Sequence, residues 1–105
     1  MREPTFLVLT ALADMPRHGY AVIREVERLS DGQTKLRTGT LYTALDRLAR
    51  DGLIRVAGEE VVESRLRRYY ELTAVGRTAL DAESRRRSAL SKEALRRLGV
   101  AGSFA

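Results

Sequence analysis

Residues 38–51 place two arginines and several hydroxyl side chains at the spacing of one helix face. Leu41, Leu45 and Leu48 fall within about 60° of one another at 100° per residue, so they predict the buried face. The opposite face is polar and carries Gly39, Thr43, Asp46, Arg47 and Arg50. Because arginine can donate two hydrogen bonds to guanine and threonine can contact bases or the thymine methyl group, this pattern is typical of a helix that enters the major groove of DNA.

Hydroxyl and guanidinium groups outside that face suit contacts to the phosphate backbone. Thr40 and Tyr42 flank the helix near its N-terminus, where backbone N–H groups also bind anions. A second basic segment follows at 64–77, and its arginines and Tyr69 suit the backbone or the minor groove. The predicted nucleic-acid contacts are Lys35, Arg37, Thr38, Thr40, Tyr42, Thr43, Arg47, Arg50, Arg65, Arg67, Arg68 and Tyr69.

The charge of the chain is unevenly distributed. Its 105 residues carry 19 basic and 14 acidic side chains, which gives a net charge of +5 and a pI near 10.2. Residues 35–55 carry +3 and residues 64–77 carry +3, whereas residues 56–63 carry −3. The total charge alone favours nucleic acid or anionic lipid as partner. Its concentration in the two predicted contact segments favours double-stranded DNA.

The composition argues against catalysis, metal binding and membrane insertion. The chain has no cysteine and one histidine, His18, which excludes a thiol nucleophile, a cysteine-based zinc site and a multi-histidine cluster. We therefore expect no enzyme, no cofactor and no metal. The longest apolar run, 6–13, has eight residues, against roughly 20 needed to cross a bilayer. We expect a cytoplasmic protein without a membrane partner.

Three helices are predicted before residue 53. The first begins with Thr5 as its N-cap and is apolar nearly all round, so we expect it to be buried on more than one side and partly against another subunit. The second runs from His18 to Ser30. Its apolar rhythm comprises Tyr20, Ile23, Val26 and Leu29. The third is capped by Thr38 or Thr40 and stops at Gly52.

A β-hairpin and a long helix complete the predicted elements. The first strand covers 53–57 and extends at most through 62, the turn lies within 63–66, and the return strand covers 67–72 with Tyr70 facing the core. Thr73 then caps a helix of about 25 residues to Leu98, a length that exceeds the core beneath it and therefore suggests a partner subunit.

The predicted fold is mainly α with a β-hairpin wing: a winged helix-turn-helix followed by a C-terminal dimerisation helix. We expect residues 1–73 to form the DNA-binding domain and residues 74–98 the dimerisation helix. Residues 99–105 are expected to form a loose tail.

Several motifs resemble the PadR family of bacterial transcriptional regulators over about residues 5–98. They are Gly19-Tyr20, residues 38–48 (TGTLYTALDRL), Gly52-Leu53-Ile54 and residues 68–73 (RYYELT) with Gly76. The resemblance implies a dimer built through the C-terminal helix with help from the first helix. It also implies a palindromic operator and, usually, repression. The single C-terminal helix resembles the smaller branch of the family.

Three features depart from that family's pattern. Thr43 stands where many relatives have proline, and residues 63–66 (ESRL) replace a common glycine-rich turn. The chain also has no tryptophan, so the aromatic stacking pocket of some small members is not carried over.

These observations lead to one main hypothesis and one alternative. The main hypothesis is a dimeric repressor that a small organic effector releases from DNA. Its dimer or effector pocket is predicted to be lined by Phe6, Leu9, Met15, Leu80, Leu90 and Leu98. The alternative is a winged-helix module for protein–protein interaction without DNA binding, supported by the acidic segment 56–63.

Overall fold

The computed structural model describes residues 1–99, and its helices form a small bundle against a three-stranded antiparallel sheet. The elements in chain order are α1 (Glu3–Ala11), β1 (Arg17–His18), α2 (Gly19–Leu29), α3 (Thr38–Arg50), β2 (Ile54–Val62), β3 (Arg65–Leu72) and α4 (Ala74–Arg97). This order confirms the predicted fold class. Within residues 1–99, no helix is long and apolar enough to cross a membrane.

One apolar core joins α1, α2, α3 and the base of the hairpin. Its largest fully buried side chains are Val8, Leu9, Leu12, Val22, Val26, Leu41, Leu45, Leu48 and Ile54. Tyr70 and Leu72 of β3 close the core from the sheet side, which confirms the expected burial of Tyr70. Because α3 contributes three leucines at helical spacing, its outer face is fixed relative to the core.

The first and third helices begin without the predicted caps. α1 starts at Glu3 rather than after Thr5, because Pro4, whose φ angle suits the first turn of a helix, extends it toward the N-terminus. Arg37 is the N-cap of α3 and makes no side-chain capping bond, so neither Thr38 nor Thr40 acts as the cap. Both helices therefore depend on packing rather than on capping for their starts.

The second helix is capped by His18, whose Nδ1 accepts a hydrogen bond of 3.2 Å from the Ala21 N–H. The predicted apolar rhythm was partly wrong. Val22 and Val26 form the buried face, whereas Tyr20 is 63% exposed. The reason is that a strict three-residue repeat drifts around a helix of 3.6 residues per turn.

The hairpin turn is tighter than predicted. Glu63 and Ser64 alone form it, with φ angles of 52° and 66°, as two-residue type I′ turns require. Arg65 and Leu66 consequently belong to β3, where they pair with Val62 and Val61. The structure also adds β1, which pairs with β3 through residues 69–70 and gives the strand order β1-β3-β2. We call the β2–β3 hairpin the wing.

The last helix is capped as predicted and leaves the core after three turns. Thr73 Oγ1 accepts a hydrogen bond of 3.0 Å from the Gly76 N–H and donates one of 2.6 Å to the Gly52 carbonyl. Along α4 only Gly76, Leu80 and Glu83 are buried. The second half of α4 has Leu90 57% exposed, and Leu98 beyond its end is 72% exposed. The predicted tail lies outside the described residues from residue 100 onward.

Candidate nucleic-acid interface

The outer face of α3 carries polar side chains directly opposite the core. Leu41, Leu45 and Leu48 are 2% exposed or less. Thr43 and Arg47 are exposed on the other side of the helix, and the exposed Arg50 follows one turn later. The face predicted to carry the direct contacts therefore points away from the protein.

A cleft of about 610 Å³ separates the first turn of α1 from α3. We call it the α1–α3 cleft, and it is lined by Arg2, Pro4, Thr5, Val8, Leu36, Gly39, Thr40, Thr43, Ala44 and Arg47. Arg47 Nη2 donates a hydrogen bond of 3.4 Å across it to Thr5 Oγ1. The cleft thus brings together three of the predicted contact residues, and it gives Arg47 a partner on α1 that the sequence did not indicate.

A second cavity, of about 630 Å³, lies between the wing and the N-terminus of α2. We call it the wing groove, and it is lined by His18, Gly19, Tyr20, Tyr42, Val62, Glu63, Arg65, Leu66, Arg67 and Arg68. It collects Tyr42 and the three predicted wing arginines on one surface. The N-terminus of α2 adds backbone N–H groups, which favour anions.

Tyr42 of α3 reaches the start of α2 because position 19 is glycine. A Cβ atom placed on Gly19 would lie 2.5 Å from the Tyr42 hydroxyl oxygen. The pair Gly19-Tyr20 was noted only as part of the family motif. Sequence reasoning therefore missed His18, Gly19 and Tyr20 as parts of the groove, although the glycine at a helix start was a signal.

His18 links the groove to the sheet. Its ring packs edge-on against Tyr69 with centroids 5.5 Å apart. Burial lowers the pKa of the imidazole, and the charges of Arg67 and Arg24 lower it further. A neutral imidazole is also what the cap requires, since Nδ1 accepts the Ala21 N–H. Tyr69 itself donates a hydrogen bond of 2.6 Å to Glu60, so its hydroxyl is engaged within the wing.

The wing is electrically balanced, contrary to what the segment charges indicated. Residues 54–72 contain four arginines and four glutamates. Antiparallel pairing sets Glu59 opposite Arg68 and Glu60 opposite Arg67, with N–O distances of 3.7 and 4.0 Å. Counting 56–63 and 64–77 as separate patches was therefore wrong, because the hairpin register brings the two together.

The five remaining predicted contacts lie outside both cavities: Tyr69, whose hydroxyl binds Glu60, and four residues on or next to α3. Lys35, Arg37, Thr38 and Arg50 are exposed on or next to α3, and none of them lines the α1–α3 cleft or the wing groove. Lys35 and Arg37 belong to the connector between α2 and α3, whereas Arg50 belongs to the last turn of α3. Their role in binding stays a prediction.

The predicted dimer or effector residues divide into buried and exposed groups. Leu9 is fully buried in the core, so its predicted place in a pocket between subunits was wrong. Leu80 also packs on the core. By contrast, Met15, Leu90 and Leu98 are more than half exposed. In residues 1–99, no three His, Asp or Glu side chains are grouped closely enough to hold a metal ion.

A helix-turn-helix formed by α2 and α3, followed by a β-hairpin, defines the winged helix-turn-helix class. The structure is similar to that of a PadR family transcription regulator from Clostridium difficile, with a TM-score of 0.74 and 24% sequence identity. The match covers 90% of this chain and 97% of that chain. Bacillus subtilis PadR in complex with operator DNA has a TM-score of 0.68 and 18% identity, over 77% of this chain and 47% of that chain.

The sequence itself narrows the class to one family. Residues 8–82 match the transcriptional regulator PadR-like family. The chain is 38% identical to Transcriptional regulator Rv3488 of Mycobacterium tuberculosis over 88 residues, which are 84% of this chain and 78% of that protein. The chain therefore belongs to the PadR-like family of transcriptional regulators. Membership of a family of regulators confirms that it is not an enzyme.

Proposed function

We propose that the chain is a dimeric, sequence-specific DNA-binding repressor that acts in the cytoplasm on a palindromic operator. The observation that carries this proposal is the outer face of α3, where Thr43, Arg47 and Arg50 lie opposite a fully packed leucine face. Bacillus subtilis PadR, which has a similar fold, is solved in complex with operator DNA, and this supports DNA as the partner of the chain.

Two kinds of contact follow from the geometry. Arg47 and Thr43 at the centre of the face read base edges in the major groove. Tyr42, Arg65 and the N-terminus of α2 line the wing groove and hold a phosphate of the flanking backbone. Lys35, Arg37, Thr38 and Thr40 at the start of α3 and Arg50 at its end add further polar contacts.

The dimer forms through α4 with help from α1. The second half of α4 has no core beneath it in the protomer, and its exposed Leu90 and Leu98 give an apolar surface for the same surface of a second chain. Met15, which is also more than half exposed, and the partly buried Phe6 of α1 belong to the same proposed interface, whereas Leu80 packs on the core of its own protomer. A small organic effector bound there alters the spacing of the two α3 helices and releases the operator.

The alternative function, a protein–protein module without DNA binding, was suggested by the acidic segment 56–63, and the structure weakens that support. Glu59 and Glu60 are paired with arginines across the hairpin, so the acidic segment is not a free acidic surface. Of the three glutamates in that segment only Glu63, in the turn, lacks an arginine partner among the described residues, which leaves a basic partner a single carboxylate.

The proposal is tested by selecting a duplex from a random-sequence library with the purified chain and titrating it by fluorescence anisotropy. We expect two chains per duplex and an affinity that falls steeply with salt, by a log–log slope of about −0.9 per neutralised phosphate. A scrambled duplex of equal length is the control. Absence of any enriched sequence, or equal binding of the scrambled duplex at low salt, would overturn the proposal.

The ion pairs of the wing make a second prediction. The double variant Glu59→Gln with Glu60→Gln should bind the selected duplex about fivefold more tightly, because it frees Arg67 and Arg68 for phosphates. The salt dependence should also become steeper. The measurement is the same anisotropy titration over a series of salt concentrations.

A matched control removes two carboxylates that pair with arginines on α4. Asp81→Asn with Glu93→Gln makes the same charge change and likewise releases arginines. It should leave the slope of the salt dependence unchanged. Equal gains in affinity for the two double variants would mean that only the net charge of the protein matters. No gain in affinity for the wing variant would mean that Arg67 and Arg68 do not contact DNA.

A further inference from the structure

Arg87 of α4 contacts the start of α1 through both terminal nitrogens and the face of its guanidinium group. Nη1 donates to the Glu3 carboxylate, and Nη2 donates a hydrogen bond of 2.8 Å to the Met1 carbonyl. The group also stacks 4.3 Å from the centre of the Phe6 ring. Its side chain is 27% exposed, so these contacts are partly shielded from water.

Arg87 is itself anchored by a carboxylate on its own helix. Nε donates a hydrogen bond of 2.7 Å to Glu83, which is 9% exposed and also receives Arg86. The hydrogen bonds from Arg86 and Arg87 lower the pKa of Glu83 to about 2, so the carboxylate stays charged at neutral pH. The Arg87 side chain therefore has a fixed direction toward α1.

The first turn of α1 has few other attachments. Residues 1–4 are exposed, and Arg2 at the N-cap makes no side-chain capping bond. Leu7 is the first buried residue of the helix, and in the first turn Phe6 alone packs against the core, partly buried. Among the described residues, the hydrogen bonds that join α4 to this end of the chain all come from Arg87.

The same turn borders α3 on its other side. Arg2, Pro4 and Thr5 form one wall of the α1–α3 cleft, and Thr5 Oγ1 accepts the hydrogen bond from Arg47. Contacts thus run without a gap from Glu83 through Arg87 and the first turn of α1 to Arg47.

We propose that Arg87 is a positioning residue for operator recognition: it holds the first turn of α1 so that Thr5 orients Arg47 on the face of α3. Arg87 itself touches no DNA. A movement of α4 that displaces Arg87 would then change the orientation of Arg47. This inference rests on the proposed function, since it assumes that Arg47 reads a base.

The test measures sequence discrimination, the ratio of affinities for the selected and the scrambled duplex, in Arg87→Gln and Arg86→Gln. Arg86 also pairs with Glu83 but, within residues 1–99, makes no hydrogen bond to α1, so it is the matched control for charge and for Glu83 pairing. We expect Arg87→Gln to lower discrimination about fivefold and Arg86→Gln to change it by less than about twofold. Arg87→Lys should restore part of the loss.

A double-mutant cycle separates positioning from general stability. Thr5→Val removes the hydroxyl that Arg47 contacts, so Arg87→Gln should have almost no further effect on discrimination in that background. Titrations are made well below the melting transition. If Arg87→Gln does not fold, Glu3→Gln, an exposed change, should still lower discrimination by about twofold.

Three results would overturn the inference while leaving the proposed function intact. They are equal discrimination in Arg87→Gln and Arg86→Gln, equal weakening of both duplexes by Arg87→Gln, and additive effects of Arg87→Gln and Thr5→Val. Failure of the wild-type chain to distinguish the two duplexes would instead reject the proposed function.

Discussion

Replacing Gly76 by alanine is expected to destabilise the protein by about 3 kcal/mol or more. A Cβ atom at this position would lie 1.9 Å from the Leu53 carbonyl oxygen and 2.9 Å from its carbon. These atoms belong to the backbone at the start of the wing, and the same oxygen accepts the Thr73 N–H at 3.1 Å. Neither the Leu53 carbonyl nor Gly76 can shift without disturbing the hydrogen bonds that each makes to Thr73. The start of α4 must therefore separate from the wing.

The measurement is the urea midpoint followed by circular dichroism, with Gly39→Ala as the control. Gly39 is also helical, but apart from its chain neighbours and the backbone of its own helix no atom lies within 4 Å of its Cβ position. Alanine there should raise stability by about 0.5–1 kcal/mol, since glycine is costly inside a helix. Equal midpoints for Gly76→Ala and the wild type would mean that the contact of α4 with residue 53 does not define where α4 begins.

The core-facing pattern of α3 was the most predictable part of the fold. Leu41, Leu45 and Leu48 can all be buried at once only if residues 38–50 are helical, so one pattern gave the element, its buried side and its polar side. Gly52, whose φ is 77°, marked the end of the helix equally well. The predicted major-groove face follows directly from that geometry.

Features that depend on which strands pair could not be predicted from local sequence patterns. β1 has two residues and no apolar alternation, and it exists because Arg17 and His18 pair with the edge of β3. The type I′ turn at Glu63 and Ser64 lacks the usual glycine or asparagine, so the sequence located it only within four residues.

The charge balance of the wing could not be predicted for the same reason, because it depends on strand pairing. A sum over consecutive residues treats Glu59 and Arg68 as members of different segments, although the register places them side by side. Charge that looked like two opposite patches is therefore largely cancelled within one hairpin. The excess positive charge near the proposed DNA surface consequently lies mainly on α3 and the connector before it, where Lys35, Arg37, Arg47 and Arg50 outnumber Asp31 and Asp46.

Because the excess positive charge lies mainly on α3 and Arg47 is at the centre of its outer face, replacing Arg47 is expected to have the largest effect on DNA binding. Arg47→Ala should weaken binding to the selected duplex by about 1–3 kcal/mol, or about five- to 150-fold, and relax the preference at one base position in each half-site. The reason is that a guanidinium at the centre of the α3 face can donate two hydrogen bonds to one guanine. Anisotropy titrations with single-base variants of the duplex measure both effects.

Two further variants distinguish base reading from simple charge. Arg85→Ala removes the same charge from α4, where Arg85 pairs only with Asp81 among the described contacts, and should cost less than about twofold. Arg47→Lys keeps the charge but loses the two-donor geometry, so it should retain binding to scrambled DNA while losing discrimination. If Arg47→Lys instead discriminates as well as the wild type, Arg47 contacts a phosphate, and the base-reading role passes to Thr43 or Arg50.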